Sequence, residues 1–172
     1  MASPGSNTRA QQQPRTRMSI EKYAENNKIV QDGVTLDCQR MMLAFDLAEN
    51  APSRFHQMNK AQQQVTAEWA SALLAHDAAL RYRGLIRAGL AIAAALIQVA
   101  EAASSLPELK YVEKSKVSME MGKTIQTKMG LCKERFERVE PIMAGARTKL
   151  LAMAVEAGIR LVNYRSSIAG MY

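Results

Sequence analysis

The chain has 172 residues, a formal net charge of +7, 48% hydrophobic residues and 23% charged residues. That length corresponds to one domain, which buries most of its surface on folding. The chain contains one Trp, five Tyr, three Phe and eleven Met. The core must therefore be aliphatic, and sheet-rich folds, which favour aromatic and β-branched residues, are excluded. The composition predicts an all-α fold, a long-helix bundle of about four to five helices.

The first 18 residues differ in composition from the rest of the chain. They contain Arg9, Arg15 and Arg17, no acidic residue and almost no large apolar side chain. Such a segment has too little apolar surface to fold alone. Residues 1–18 are therefore predicted to form a flexible basic arm, either disordered or ordered by a partner, and residues 19–172 a single helical domain.

The first half of that domain is predicted to contain three helices. Ser19 is placed to cap a helix over about 19–31, and Asp32-Gly33 predicts a turn before a second helix over about 35–49. A third helix is expected over about 53–104, with Ser53 as its cap. Gly84 is the expected place for a break in it, because roughly 50 residues of helix would span about 75 Å.

Two further helices are predicted, over about 106–139 and 141–168. Ser105 followed three residues later by Glu108, with Pro107 between them, predicts a helix start. In the first of these helices the apolar stripe changes face near Gly122, which indicates a bend or two different partners. Pro141 predicts a kink or a loop. In the last helix the apolar residues follow a spacing close to a coiled-coil seam: Met143, Ala146, Leu150, Met153, Ala157, Leu161, Tyr164 and Ile168.

The apolar centre of the sequence is residues 88–97, which carry no charged or polar side chain. A bilayer span needs about 20 apolar residues, whereas 10 to 14 more often indicate a buried helix. Arg87 precedes this run, and Gln98 and Glu101 follow it. The length favours packing against protein over a membrane span.

No motif of a catalytic, metal or nucleotide site occurs in the sequence. His56 and His76 are isolated, and the glycines are scattered singly. Cys38 and Cys132 are far apart and in apolar surroundings, which favours buried thiols over a disulfide. We therefore expect no enzyme activity and no cofactor. With no secretion signal in view, a cytoplasmic or virion-associated location is expected.

The leading hypothesis is a non-enzymatic structural or interaction protein, a homo-oligomer or a repeated part of a larger assembly such as a filament, coat, virion or secretion-type apparatus. Small residues let helices approach closely, and a second seam at the end of the chain offers another contact. The candidate packing residues are Gly89, Ala91, Ala93, Ala95, Leu150, Met153, Ala157 and Leu161. A monomeric bundle whose own core takes up all these faces is the competing interpretation.

Two other classes of function stay open. A coat or packaging protein would contact nucleic acid independently of its sequence, through phosphate contacts from basic side chains. The candidates are Arg9, Arg15, Arg17, Lys114, Lys116 and Lys123. A translocator or ejection protein would instead insert residues 85–103 into a membrane, at a cost of about 2.5 kcal/mol or more for a charge near the bilayer centre.

Overall fold

The computed structural model describes residues 19–161, and these form four α-helices and no strand, so the predicted all-α fold is confirmed. The predicted arm, with Arg9, Arg15 and Arg17, lies outside the described residues, as do Tyr164 and Ile168. In chain order the elements are α1 (Ile20–Arg54), a 3₁₀ turn (Phe55–Gln57), α2 (Lys60–Leu73), α3 (Ala78–Ser104) and α4 (Leu109–Glu156).

Helix α4 is the central element, and the other helices pack along it. Helix α1 runs parallel to α4, because Tyr23 contacts Ser118 near their starts and Phe45 contacts Phe136 further along. Helix α3 runs antiparallel to α4 and makes few contacts with α1. Helix α2 covers the last part of α4, where the Lys60 ammonium donates a hydrogen bond to the carbonyl oxygen of Ala157.

A single heptad seam along α4 explains this arrangement. Its buried positions repeat at alternating spacings of four and three over five heptads, as a helix does when one stripe faces its neighbours. They are Ser118, Gly122, Ile125, Met129, Cys132, Phe136, Val139, Met143, Ala146, Leu150 and Met153. The expected change of face near Gly122 is not observed within the seam. Leu109 and Val112, which suggested it, are exposed to solvent.

Of the kink or loop predicted at Pro141, the loop was wrong, since α4 continues through this residue. Proline lacks an N–H and removes one helical hydrogen bond. Pro141 is exposed, so the carbonyl left without that partner lies on the solvent side, where water satisfies it. The seam also keeps its spacing across the proline, from Val139 to Met143, and packing on both sides holds the helix together.

The turn predicted at Asp32-Gly33 was also wrong, because α1 is continuous through both residues. Val34 and Cys38 are buried next to this site, and Lys128 of α4 donates a 2.9 Å hydrogen bond to Thr35. Tertiary contacts on both sides therefore outweigh the local turn preference. The expected cap at Ser19 is confirmed, with its hydroxyl accepting from the backbone N–H of Lys22 at 3.2 Å.

The predicted helix over 53–104 is two helices, and Gly84 does not break it. Helix α2 starts at a capping box, in which Asn59 and Gln62 accept from each other's backbone N–H groups. Ser53, the expected cap, lies in the last turn of α1 and donates to the carbonyl of Asn50. The actual break, residues 74–77, is stabilised by Tyr82, whose hydroxyl donates to the carbonyl of Leu73 at the end of α2.

The two ends of α4 differ from their predicted positions. Ser105 does not cap it: this residue ends α3, its hydroxyl donates to the Ala102 carbonyl, and α4 starts after Glu108. At the other end α4 stops at Glu156 rather than near 168. Gly158 adopts a φ of +70°, and the N–H groups of Gly158 and Ile159 donate back to Val155 and Ala154. This is a Schellman motif, which glycine forms without steric cost.

Candidate interaction surfaces

The inner face of α3 packs on α4 through small residues. Gly89 faces Met129 so closely that a Cβ added at Gly89 would lie 2.6 Å from the Met129 Cγ. On the α4 side of the same contact, a Cβ added at Gly122 would lie 3.1 Å from the backbone oxygen of Ala93 in α3. Helices with small residues at their contact can approach more closely than large side chains allow. The α3 inner seam is therefore filled within the chain.

The outer face of α3 has the opposite character, since it is apolar but exposed. This helix is long and apolar enough to cross a membrane by length and composition, and only 22% of its most apolar 18-residue stretch is buried. We call the following exposed residues the α3 outer face: Arg87, Ala88, Ala91, Ala94, Ala95, Gln98, Val99 and Glu101. Between the two charged residues, Gln98 is the only polar one. An apolar surface of this kind on a helix indicates a contact with another apolar partner.

The structure divides the four predicted small packing residues of α3 between these two faces. Gly89 and Ala93 are buried against α4, so neither leaves room for the backbone of another molecule. Ala91 and Ala95 are exposed on the α3 outer face. Of the predicted close-approach positions, only these two are open to a partner.

The predicted terminal seam is mostly filled within the chain as well. Leu150 is fully buried and Met153 nearly so, in the core cluster that also contains Ala67 and Ala70 of α2. Ala157 is half-buried at the end of α4, and Leu161 lies beyond the helix and is 38% exposed. Up to residue 161 this seam packs against α2 and does not present a free coiled-coil stripe.

The predicted basic residues of α4 do not share one face. The Lys114 ammonium lies 4.8 Å from the centre of the Tyr23 ring, on the side that faces α1. Lys116 and Lys123 are exposed, and at 100° per residue they lie on roughly the opposite side of the helix from Lys114. Glu120 is exposed between them. The three lysines therefore do not form a continuous positive patch.

The titratable groups of the described residues are dispersed, and an ion pair between Arg135 and Glu49 joins two helices. Among residues 19–161 no group of three or more His, Cys, Asp or Glu side chains is placed to hold a metal ion. His56 and His76 are exposed and separate. Arg135 donates two hydrogen bonds, of 3.1 and 2.8 Å, to one carboxylate oxygen of Glu49, which ties α4 to α1.

Cys38 and Cys132 are the buried nucleophilic groups in this part of the chain, and they face each other across α1 and α4 as free thiols. Burial and, to a smaller extent, the adjacent Cys38 raise the pKa of the Cys132 thiol to about 12. Burial also raises the pKa of Cys38. A protonated, buried thiol is a poor nucleophile and a poor metal ligand. The prediction of two buried thiols without a disulfide is confirmed.

A second exposed apolar patch lies on α2. Trp69 and Val65 are each 41% exposed and border an open groove of about 430 Å³ that also includes Met58 and Ala61. No charged side chain lines it. The four-residue spacing of Val65 and Trp69 is helical, but spacing alone does not reveal how far α2 extends beyond its contact with α4.

Comparison of the chain with protein-family models, curated proteins and solved structures gave no match.

Proposed function

We propose that this chain is a non-enzymatic structural or interaction protein that self-associates through helix packing, as a repeated component of a larger assembly such as a filament, coat, virion or secretion-type apparatus. The observation that carries the proposal is the α3 outer face. It is a continuous apolar surface on a helix whose opposite side is already packed against α4. The proposed contact therefore uses Ala91 and Ala95 and leaves the fold of the subunit unchanged.

The small area that this contact can bury favours a repeated assembly over an isolated pair. A stable interface between two proteins buries about 1,200–2,000 Å² in total. One pair of alanine-rich helices buries less than that, because alanine side chains are small. A single contact of this kind is expected to be weak, while several such contacts in one assembly reinforce one another through their high effective concentration.

The test is light scattering coupled to size-exclusion chromatography over a range of protein concentrations. The wild-type chain should elute above its monomer mass of 19.0 kDa, with a mass that rises with concentration. Ala91→Glu places a charge on the α3 outer face and should shift the protein towards the monomer. Ala152→Glu is the matched control, since Ala152 is exposed on α4, and should behave as the wild type.

Two results would contradict this proposal. A wild-type chain that is monomeric at every concentration does not self-associate. An Ala91→Glu chain that keeps the wild-type mass while circular dichroism shows an unchanged helix content associates through some other surface.

Membrane insertion is a second candidate, and the exposure of the α3 apolar stretch favours it. Only residues 88–100 lie between Arg87 and Glu101, about 20 Å of helix against about 30 Å of hydrocarbon. Insertion would also separate α3 from α4. Flotation with vesicles of phosphatidylcholine and phosphatidylglycerol tests it: protein that stays in the soluble fraction at both neutral and acidic pH has no such activity.

Nucleic-acid association has less support among the described residues, because Lys116 and Lys123 share their exposed face with Glu120 and point away from Lys114. The remaining basic candidates, Arg9, Arg15 and Arg17, lie outside the described residues. The ratio of absorbance at 260 and 280 nm across the eluted peak tests this candidate in the same experiment, since a protein-only peak argues against a packaging role.

A further inference from the structure

The two charged residues that border the α3 outer face have no ion-pair partner among residues 19–161. Arg81 pairs with Asp77, and Arg83 with Glu140 of α4. Arg87 and Glu101 are exposed and belong to none of the ion pairs in the described part of the chain. Within the described part of the chain, opposite charges therefore stand unneutralised at the two ends of one apolar surface.

These two residues are placed symmetrically about Ala94. Arg87 is seven residues before Ala94 and Glu101 seven residues after it, so each lies about 10 Å from Ala94 along the helix axis. Seven residues amount to nearly two full turns, and all three side chains project from the same side of α3. The stripe is completed by Ala91 and Gln98, which are also exposed.

We propose that the partner of this surface is the α3 outer face of a second copy of the chain, packed antiparallel about a two-fold axis at Ala94. In this arrangement Arg87 of each copy lies beside Glu101 of the other, and Ala91 lies near Gln98 of the other, offset by about 1.5 Å along the axis. The contact is isologous and self-complementary, so it joins two copies, and the larger assembly of the proposed function joins such pairs through a further surface. A parallel pairing would instead bring arginine against arginine and glutamate against glutamate, which is repulsive.

This inference rests on the proposed self-association and adds the orientation and the symmetry of the contact.

A charge-reversal series tests the pairing of Arg87 with Glu101 of the other copy. Arg87→Glu alone and Glu101→Arg alone each create two like-charge contacts per pair and should weaken dimerisation about tenfold. The double variant Arg87→Glu/Glu101→Arg restores opposite charges and should return to within about threefold of the wild type. The loss in the single variants should shrink in 0.5 M NaCl, because salt screens exposed charges.

The orientation is tested by disulfide cross-linking between two variants that keep both charges. Ala91→Cys and Gln98→Cys are prepared separately, one of them with a mass tag, and then mixed and oxidised. Antiparallel packing brings the two engineered positions together across the axis, and the tagged–untagged heterodimer should predominate. The wild-type chain is the control for Cys38 and Cys132, whose burial should keep them out of cross-links.

The outcomes separate this inference from the proposed function. Homodimers of each variant without the heterodimer would show parallel packing and overturn the inference, while self-association stands. If the wild-type chain associates but the double variant Arg87→Glu/Glu101→Arg dimerises as weakly as the single variants, the charge pairing is also overturned. A wild-type chain that does not associate, together with Ala91→Cys and Gln98→Cys variants that do not cross-link after mixing, removes both the inference and the function on which it rests.

Discussion

Helices α1 and α3 both lie along α4, but they pack against it in different ways. The α1–α4 contact is made by large side chains such as Phe45, Met41 and Phe136, and it is reinforced by polar links including the Arg135–Glu49 ion pair. In the α3–α4 contact each of two glycines faces a larger side chain of the other helix, Gly89 against Met129 and Gly122 against Ile97, and alanines line the rest of the buried side of α3. Large side chains bury much apolar area from each helix, whereas small ones bring the backbones together and bury little.

This difference has a consequence for function. Because α3 needs only a narrow strip of glycine and alanine to pack on α4, the rest of its circumference stays exposed, and that remainder is apolar too. Helix α1 has no comparable uncovered stretch; its exposed side is mixed, with Leu36 beside charged residues. The close-packed helix is thus the one that presents an apolar surface to a partner.

The largest expected effect is on the α1–α4 contact. Phe45→Ala removes a fully buried ring that lies 5.9 Å from the Tyr82 ring centre and 6.0 Å from that of Phe136. We expect the free energy of unfolding to fall by about 3–5 kcal/mol, measured by urea titration with circular dichroism. Leu36→Ala, on the exposed side of the same helix, is the control and should change it by no more than about 0.5 kcal/mol. Equal effects of the two substitutions would contradict the assignment of Phe45 to the core.

The Phe45→Ala substitution weakens the α1–α4 contact by removing atoms. The α3–α4 contact should instead be weakened by adding atoms. A Cβ at Gly122 would lie 2.9 Å from Cγ1 of Ile97 and 3.1 Å from the backbone oxygen of Ala93, which cannot easily move. Gly122→Ala should therefore lower the free energy of unfolding by about 1–3 kcal/mol, although alanine favours helices.

The matched control lies in the same helix. A Cβ at Gly130 would meet nothing within 4 Å, so Gly130→Ala should raise the free energy of unfolding by up to about 1 kcal/mol through helix propensity alone. A stabilising Gly122→Ala would mean that α3 and α4 are not in close contact at this point.

Much of this fold could be predicted from the sequence, and the errors have identifiable causes. The cap at Ser19 and both halves of the α4 seam follow directly from local patterns. The two halves were separated because Pro141 predicted a kink or a loop. The helix continues because the proline lies on the exposed side and the seam packs on both sides of it. Gly158 was overlooked as a helix end, although a glycine after a run of helix formers is the usual signal for one.

The candidate site was harder to predict, for a physical reason. Residues 88–97 are apolar on every side, so periodicity cannot distinguish the face that packs within the chain from the face left for a partner. Sequence reasoning therefore combined Gly89 and Ala93 with Ala91 and Ala95 in one candidate surface. The choice between the faces depends on Met129 and Gly122 of α4, more than 25 residues away, and no local pattern contains that information.

The smallest predicted effect concerns the two thiols buried in the α1–α4 contact. An ordinary thiol has a pKa near 9, while burial beside Cys38 raises the pKa of Cys132 to about 12. Below pH 9 both the folded and the unfolded chain keep this proton, and stability is independent of it. Between pH 9 and 12 the unfolded chain loses the proton first, so stability falls as pH rises, by about 1 kcal/mol at pH 10.

Urea titrations at pH 8 and pH 10 measure this loss, with Cys132→Ala as the control that lacks the titrating group. The control should be less stable than the wild type at pH 8 because of the cavity it leaves, yet lose less stability on going to pH 10. The α3–α4 contact contains no titrating thiol, so the whole difference between the two pH profiles belongs to the α1–α4 contact. Parallel profiles for the two proteins would mean that Cys132 ionises as readily in the folded chain as in the unfolded one, and that water reaches this contact between α1 and α4.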